Sequence, residues 1–189
     1  MRRITAIISV LCLLLALGGC GGGTDAMQQA LDLRTAILDA GGCTFAASVT
    51  ANLGDTVCQF GLDCQFSPQT GTRLTVKEPE EIAGLTADVA ADGVTVSFDG
   101  ALLVFGPLAA GLVSALTGPS LAAGAWTQEY IRDAGLEDGA VRFTCLTGFD
   151  EAELQIDTWL DERGLPCRCE ISSSGTLILA CQITDFQCG

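Results

Sequence analysis

The stretch TWLDERGLPCRCEISSSGTLILACQITDF, residues 158–186, alternates apolar and polar side chains on both sides of Ser-Ser-Gly. Strand side chains repeat every two residues, so this pattern predicts a β-hairpin with one apolar face. A three-residue loop, Ser173–Gly175 with glycine in the left-handed position, suits the turn. That register sets Ile171 opposite Leu177, Cys169 opposite Leu179, Cys167 opposite Cys181 and Leu165 opposite Ile183. A slip of one residue would scatter these side chains over both faces. The same apolar face continues upstream through Leu154, Ile156 and Leu160, then Val141, Phe143 and Cys145.

The first half of the chain reads the same way. CTFAASVTANLGDTVCQFGLDCQF, residues 43–66, alternates around the turn NLGD. Folding it there places Val49 opposite Cys58, Ala47 opposite Phe60, Phe45 opposite Leu62 and Cys43 opposite Cys64. TRLTVKE (72–78) is the next strand. GLTADVAADGVTVSFDGALLVFG (84–106) holds three short strands, with hairpin turns at Asp92-Gly93 and Asp99-Gly100.

Two segments have helical rather than alternating periodicity. In TDAMQQALDLRTAILDAGG (24–42), Asp25 can cap a helix, with Gln28 completing a capping box. Met27, Ala30, Leu31, Ile37 and Leu38 form its apolar stripe, and Gly41-Gly42 stop it. In the central stretch 106–135, Pro119 suits the first turn of a helix running to about Arg132, with Gly135 after it. Leu121, Ala125 and Trp126 would face the sheet. The order is helix, about six strands, helix, about four strands: an α+β chain with two helices to cover one apolar sheet face.

The N-terminus, MRRITAIISVLCLLLALGGCGGG, has a basic start, an apolar run of signal-peptide length, and small residues before Cys20. Leu17-Gly18-Gly19-Cys20 resembles the bacterial lipobox, which implies cleavage after residue 19 and lipidation of Cys20, with palmitate among the acyl groups. Residues 1–19 then form the signal peptide, 20–24 the lipidated cysteine and glycine tether, and 25–189 the domain. More than one acyl chain anchors durably where a single chain is marginal. No later stretch has the length and apolarity of a membrane span.

Composition narrows the functional classes. The 189-residue chain carries a formal charge of −14 and no histidine, and Lys77 is its one lysine. Such a surface repels nucleic acid, which is excluded as a partner, and anionic headgroups. Without histidine there is no Ser-His-Asp or Cys-His catalysis and no usual catalytic zinc site. No phosphate loop or nucleophile elbow is present. The expectation is a protein that is not an enzyme, with no cofactor and no metal. The acidic runs Glu78–Glu81 and Asp150–Glu153 lack the ligand ladder of a calcium loop and read as solvated charge.

Eight cysteines remain besides Cys12 and Cys20. The registers above favour bridges Cys43–Cys64 and Cys167–Cys181. Reduced thiols buried as small hydrophobes fit equally well. Cys188, at the chain end, should sit apart. Trp126, Tyr130 and Trp159 suit either a ligand pocket or the core.

A lipobox, a short helix, a meander, a central helix and a closing meander together resemble the LolA/LolB-like lipoprotein carriers. The closing stretch carries the most suggestive match, with its Asp161-x-x-Gly164-x-Pro166 turn and its Ile183-Thr184-Asp185-Phe186 end. The resemblance implies a single strongly curved antiparallel sheet, a half-open barrel of about ten strands, with both helices on its concave apolar face. It also implies an apolar ligand such as an acyl chain on that face, beside Phe45, Phe60, Trp126, Phe143 and Ile156. The expected protein is an extracytoplasmic lipoprotein, anchored to the cell membrane or, in a host that has one, to the outer membrane. The alternative is an envelope or spore-associated scaffold with a self-filled core and an envelope protein as its partner.

Overall fold

The computed structural model describes residues 22–53, 56–105, 116–148 and 153–189. Helix α1 (Gly22–Ala40) leads into strands β1 (Cys43–Leu53), β2 (Thr56–Ser67), β3 (Gly71–Glu78), β4 (Thr86–Ala90), β5 (Gly93–Phe98) and β6 (Ala101–Phe105). Helix α2 (Gly118–Gln128) follows, then β7 (Tyr130–Glu137), β8 (Ala140–Thr147), β9 (Leu154–Leu160), β10 (Pro166–Ser173) and β11 (Thr176–Cys188). The signal peptide, Cys20 and the stretch 106–115 lie outside the described residues.

All eleven strands form one antiparallel sheet in the order β6-β5-β4-β3-β2-β1-β11-β10-β9-β8-β7. It is two meanders joined by the first and last strands. The sheet is not closed: β6 and β7 are its edges, so the connection that carries α2 must travel from one edge to the other. Helix α2 packs against β2, β8, β9 and β10. Strands β2 and β8 stand five places apart, about 24 Å on a flat sheet at ~4.8 Å per strand. One helix reaches both only if the sheet bends around it. The fold is a curved half-open barrel with the helices on its concave side. Among the described residues, no helix is long and apolar enough to cross a membrane.

The expected helix α1 is present but starts earlier, at Gly22, so Gly22–Thr24 are helical rather than a tether and Asp25 lies in the first turn instead of capping it. Its buried stripe is Ala26, Ala30, Leu33 and Ile37, while Leu31 and Leu38 are exposed. The stop falls where expected. Gly41 N–H donates to Leu38 O (3.1 Å) and Gly42 N–H to Ile37 O (3.0 Å), a Schellman motif with Gly41 at φ +77°.

Both hairpins keep the expected faces but not the expected registers. In the first, Val49 lies opposite Phe60, Ala47 opposite Leu62, Phe45 opposite Cys64 and Cys43 opposite Phe66. Every partner is displaced by two residues, because pairing runs on to Leu53 opposite Thr56. In the second, the loop is two residues, Ser174 (φ +50°) and Gly175 (φ +76°). That change shifts the register by one, and a bulge between Ile171 and Ser172 shifts it by one more. Cys169 therefore faces Cys181 and Ile171 faces Leu179. The bulge restores the parity that keeps these four in the core. Leu177 falls out of the core row, opposite Ser172 and exposed.

The sheet has one strand more than the ten or so expected. Helix α2 stops at Gln128, and Tyr130–Glu137, expected to continue the helix and end it, is strand β7. A two-residue turn with both residues at positive φ, Asp138 (+52°) and Gly139 (+86°), joins it to β8. This Asp-Gly pair is the sequence signal for the missed strand. Tyr130 is exposed accordingly.

The polar face of β7–β10 is also ordered. Asp157 is buried there and accepts from Thr144 Oγ1 (2.5 Å), Gln155 Nε2 (2.7 Å) and Arg142 Nη2 (2.9 Å). Burial alone would raise this carboxyl's pKa, but those hydrogen bonds and the Arg142 charge outweigh it and hold the pKa below its ordinary value. The Arg142 and Arg168 guanidinium groups lie 5.7 and 4.4 Å from the Trp159 ring centroid. Trp159 is thus part of this outer network. The Asp161-x-x-Gly164-x-Pro166 turn owes its shape to Asp161 Oδ1, which accepts N–H bonds from Arg163 and Leu165, each at 2.9 Å.

Candidate functional site

Helix α2 has two working sides. Its N-terminus sits hard against β11: a Cβ on Gly118 would come within 2.6 Å of Leu179 Cδ1. Its C-terminus is held by Arg34 of α1, which donates to the carbonyls of Trp126 (2.8 Å), Ala125 (3.3 Å) and Glu129 (2.6 Å). A cation at a helix C-terminus meets the negative end of the helix dipole and the carbonyls that lack intrahelical partners. Sequence periodicity carries no sign of this contact, which joins residues about ninety positions apart.

The inner side of α2 is sealed. Trp126 is fully buried and donates its indole N–H to Thr158 Oγ1 at 2.9 Å. Its ring packs with Phe45 (5.4 Å between centroids) and Phe186 (5.8 Å). Phe143 and Ile156 are fully buried in the same core, and Phe60 is partly buried against it. Of the five residues expected to face a ligand, four are therefore packed against protein.

The other side of α2 is open. Ser120, Leu121, Gly124, Ala125 and Gln128 form one wall of a groove of about 500 Å³. The turns β2–β3 and β4–β5 form the opposite wall, with Phe66, Thr72 and Val89 between them. Thr72 Oγ1 and Ser120 Oγ share a 2.8 Å hydrogen bond that ties the walls together. A Cβ built on Gly124 meets nothing within 4 Å, so the groove is open over this glycine. Serine and threonine hydroxyls, the Gln69 and Gln128 amides and the Asp92 and Glu129 carboxylates supply its polar lining, and no lysine or arginine is among the described lining residues. A groove with an apolar base and polar walls suits an amphiphile.

The eight described cysteines carry free thiols. Neither expected bridge pairs directly: Cys64 faces Phe45, and Cys181 faces Cys169. Cys167 is half-buried, and its thiol donates to Trp159 O at 3.4 Å. Cys188 does not stand apart but lies in β11 opposite Cys43. Burial pushes the thiols of Cys43 and Cys181 up to about 12 and that of Cys145 to about 11; Cys64 and Cys169 are raised as well. Their thiolate fraction at neutral pH is small, which slows their reactions. No three His, Cys, Asp or Glu side chains among the described residues converge as metal ligands.

The sequence matches no family model and no curated protein. Solved structures do match. The LolA superfamily protein NE2245 from Nitrosomonas europaea aligns with a TM-score of 0.50 over 90% of this chain and 94% of its own, at 9% identity. A putative outer membrane lipoprotein-sorting protein domain from Vibrio parahaemolyticus aligns with a TM-score of 0.50 over 87% of this chain and 91% of its own, also at 9% identity. At this identity the likeness is one of fold, and by fold this chain is LolA-like.

Proposed function

We propose that this chain is a lipid-anchored lipoprotein of the bacterial cell envelope that holds one apolar chain, such as a lipid acyl chain, in the groove beside α2. The groove carries the reading. It is a ready-made cleft of about 500 Å³, within the size range of small-molecule sites, whereas Phe45, Trp126, Phe143 and Ile156 are packed in the core. The acidic lining groups Asp92 and Glu129 and the net charge of −14 favour an uncharged headgroup over an anionic one. Similarity in fold to a protein described as lipoprotein-sorting supports the class of ligand. No catalysis is assigned to a chain without histidine.

Organic extraction of protein purified from membranes, followed by mass spectrometry, tests the reading. A co-purifying neutral lipid, displaced by a fluorescent acylglycerol analogue with an uncharged headgroup, is the expected result. Absence of lipid together with no binding of the analogue overturns it. The anchor has its own test. Metabolic labelling with an alkyne fatty acid should mark the wild type and leave Cys20→Ser unlabelled.

A second reading, an envelope scaffold that binds a protein, has one observation in its favour. Leu102, Leu103 and Val104 on edge strand β6 are all more than half exposed. Cross-linking in cells that recovers one stoichiometric protein at β6, with no lipid in the groove, would select it.

A further inference from the structure

Cys43 is the first residue of β1 and Cys188 the last of β11, and the two lie directly opposite each other at the seam between the meanders. The next pair outward is hydrogen-bonded: Gly189 N–H donates to Gly42 O at 3.1 Å. Bonded and non-bonded pairs alternate along an antiparallel ladder, so Cys43 and Cys188 occupy a non-bonded position. There the Cα atoms lie about 4.5 Å apart and the side chains leave the same face close together, inside the range a disulfide spans. Cys169 and Cys181 also face each other, but both are fully buried, whereas Cys188 is open to solvent.

We propose that Cys43 and Cys188 are an oxidisable pair whose disulfide staples the first strand of the sheet to the last. The oxidant is an external disulfide. The exposed Cys188 thiolate attacks one sulfur of it, forming a mixed disulfide and expelling one thiolate. The Cys43 sulfur, after losing its proton to solvent, attacks Cys188 Sγ and expels the second. Two protein thiols are oxidised and one external disulfide is reduced to two thiols. Cys43 is buried, and burial pushes its thiol up to about 12, so the second step is the slow one. The closed loop holds about 145 residues, and long loops restrict the unfolded chain most.

The test uses the mature chain, reduced and then exposed to glutathione disulfide, quenched with N-ethylmaleimide and mapped without reductant by mass spectrometry. The expected result is a peptide linking Cys43 to Cys188 and a melting temperature about 10 °C above that of the reduced protein. Cys188→Ser should lose both the linked peptide and the shift. Cys181→Ser should keep both. Because Cys188 is exposed at the chain end, its substitution leaves the core intact even if Cys43→Ser does not fold. Glutathione remaining on Cys188, linkage to a different cysteine, or a linked peptide with no rise in melting temperature would each overturn the proposal.

Discussion

Gly124 separates the groove from the fold more sharply than any other residue. It sits inside α2, where glycine is less favourable than alanine by about 1 kcal/mol. Its missing Cβ points into open space. Gly124→Ala should therefore stabilise the protein by about 1 kcal/mol, a rise of roughly 2–4 °C for a domain of this size. Gly124→Leu should keep most of that gain, since leucine ranks close to alanine in helices. It should also deny the ligand the space over the glycine. A leucyl side chain adds four carbons, and at roughly 0.8 kcal/mol for each ligand methylene left unburied the loss is about 3 kcal/mol, more than a hundredfold in Kd. The assays are thermal unfolding by circular dichroism and displacement of a fluorescent acylglycerol with an uncharged headgroup, run on the same samples. The two readouts move in opposite directions, so misfolding cannot imitate the result. If Gly124→Leu melts higher and binds the probe as the wild type does, the groove is not the binding site. If Gly124→Ala melts lower, the space over Gly124 is not open and the geometry of the groove is misread.

Three further outcomes follow from the packing. Gly42→Ala should cost about 3 kcal/mol in urea unfolding, because Gly42 has φ +153° and its Cβ would meet Phe66 O at 2.2 Å. Arg34→Met should cost about 2 kcal/mol, the usual worth of hydrogen bonds to a charged donor, and hydrogen exchange in the last turn of α2 should rise before that elsewhere. Asp157 has a folded-state pKa below its unfolded value of about 3.9, so its contribution is complete above that pH and fades as pH falls through the folded-state value. Asp157→Ala should then cost about 3 kcal/mol at pH 7, with its difference from wild type narrowing below pH ~4.

Much of the architecture was legible in residue order alone. Alternation assigned Phe45, Ala47 and Val49, and likewise Cys169, Ile171 and Cys181, to the buried face. All six are buried. Gly41-Gly42 marked the end of α1, and Asp99-Gly100 marked a hairpin that the structure closes with Phe98 opposite Ala101. Strand β7 escaped because Glu129–Arg132 continues a helical composition. The helix ends where Arg34 meets its carbonyls, and that contact is invisible in local sequence.

Residue order determined that the chain builds an antiparallel sheet with one apolar face, covers it with two helices and lacks the side chains of histidine-based catalysis. It could not determine register. Alternation repeats every two residues, so a slip of two leaves every side chain on its proper face while changing its neighbour. Both hairpins slipped by that amount, which is why the expected cysteine pairs dissolved. Cys43 meets Cys188 through a separate pairing, β1 with β11, which joins the two meanders. The groove was hidden for a related reason. It exists only because the curved sheet brings the β2–β3 and β4–β5 turns against the far side of α2, and curvature is a property of the assembled strands that no single segment carries.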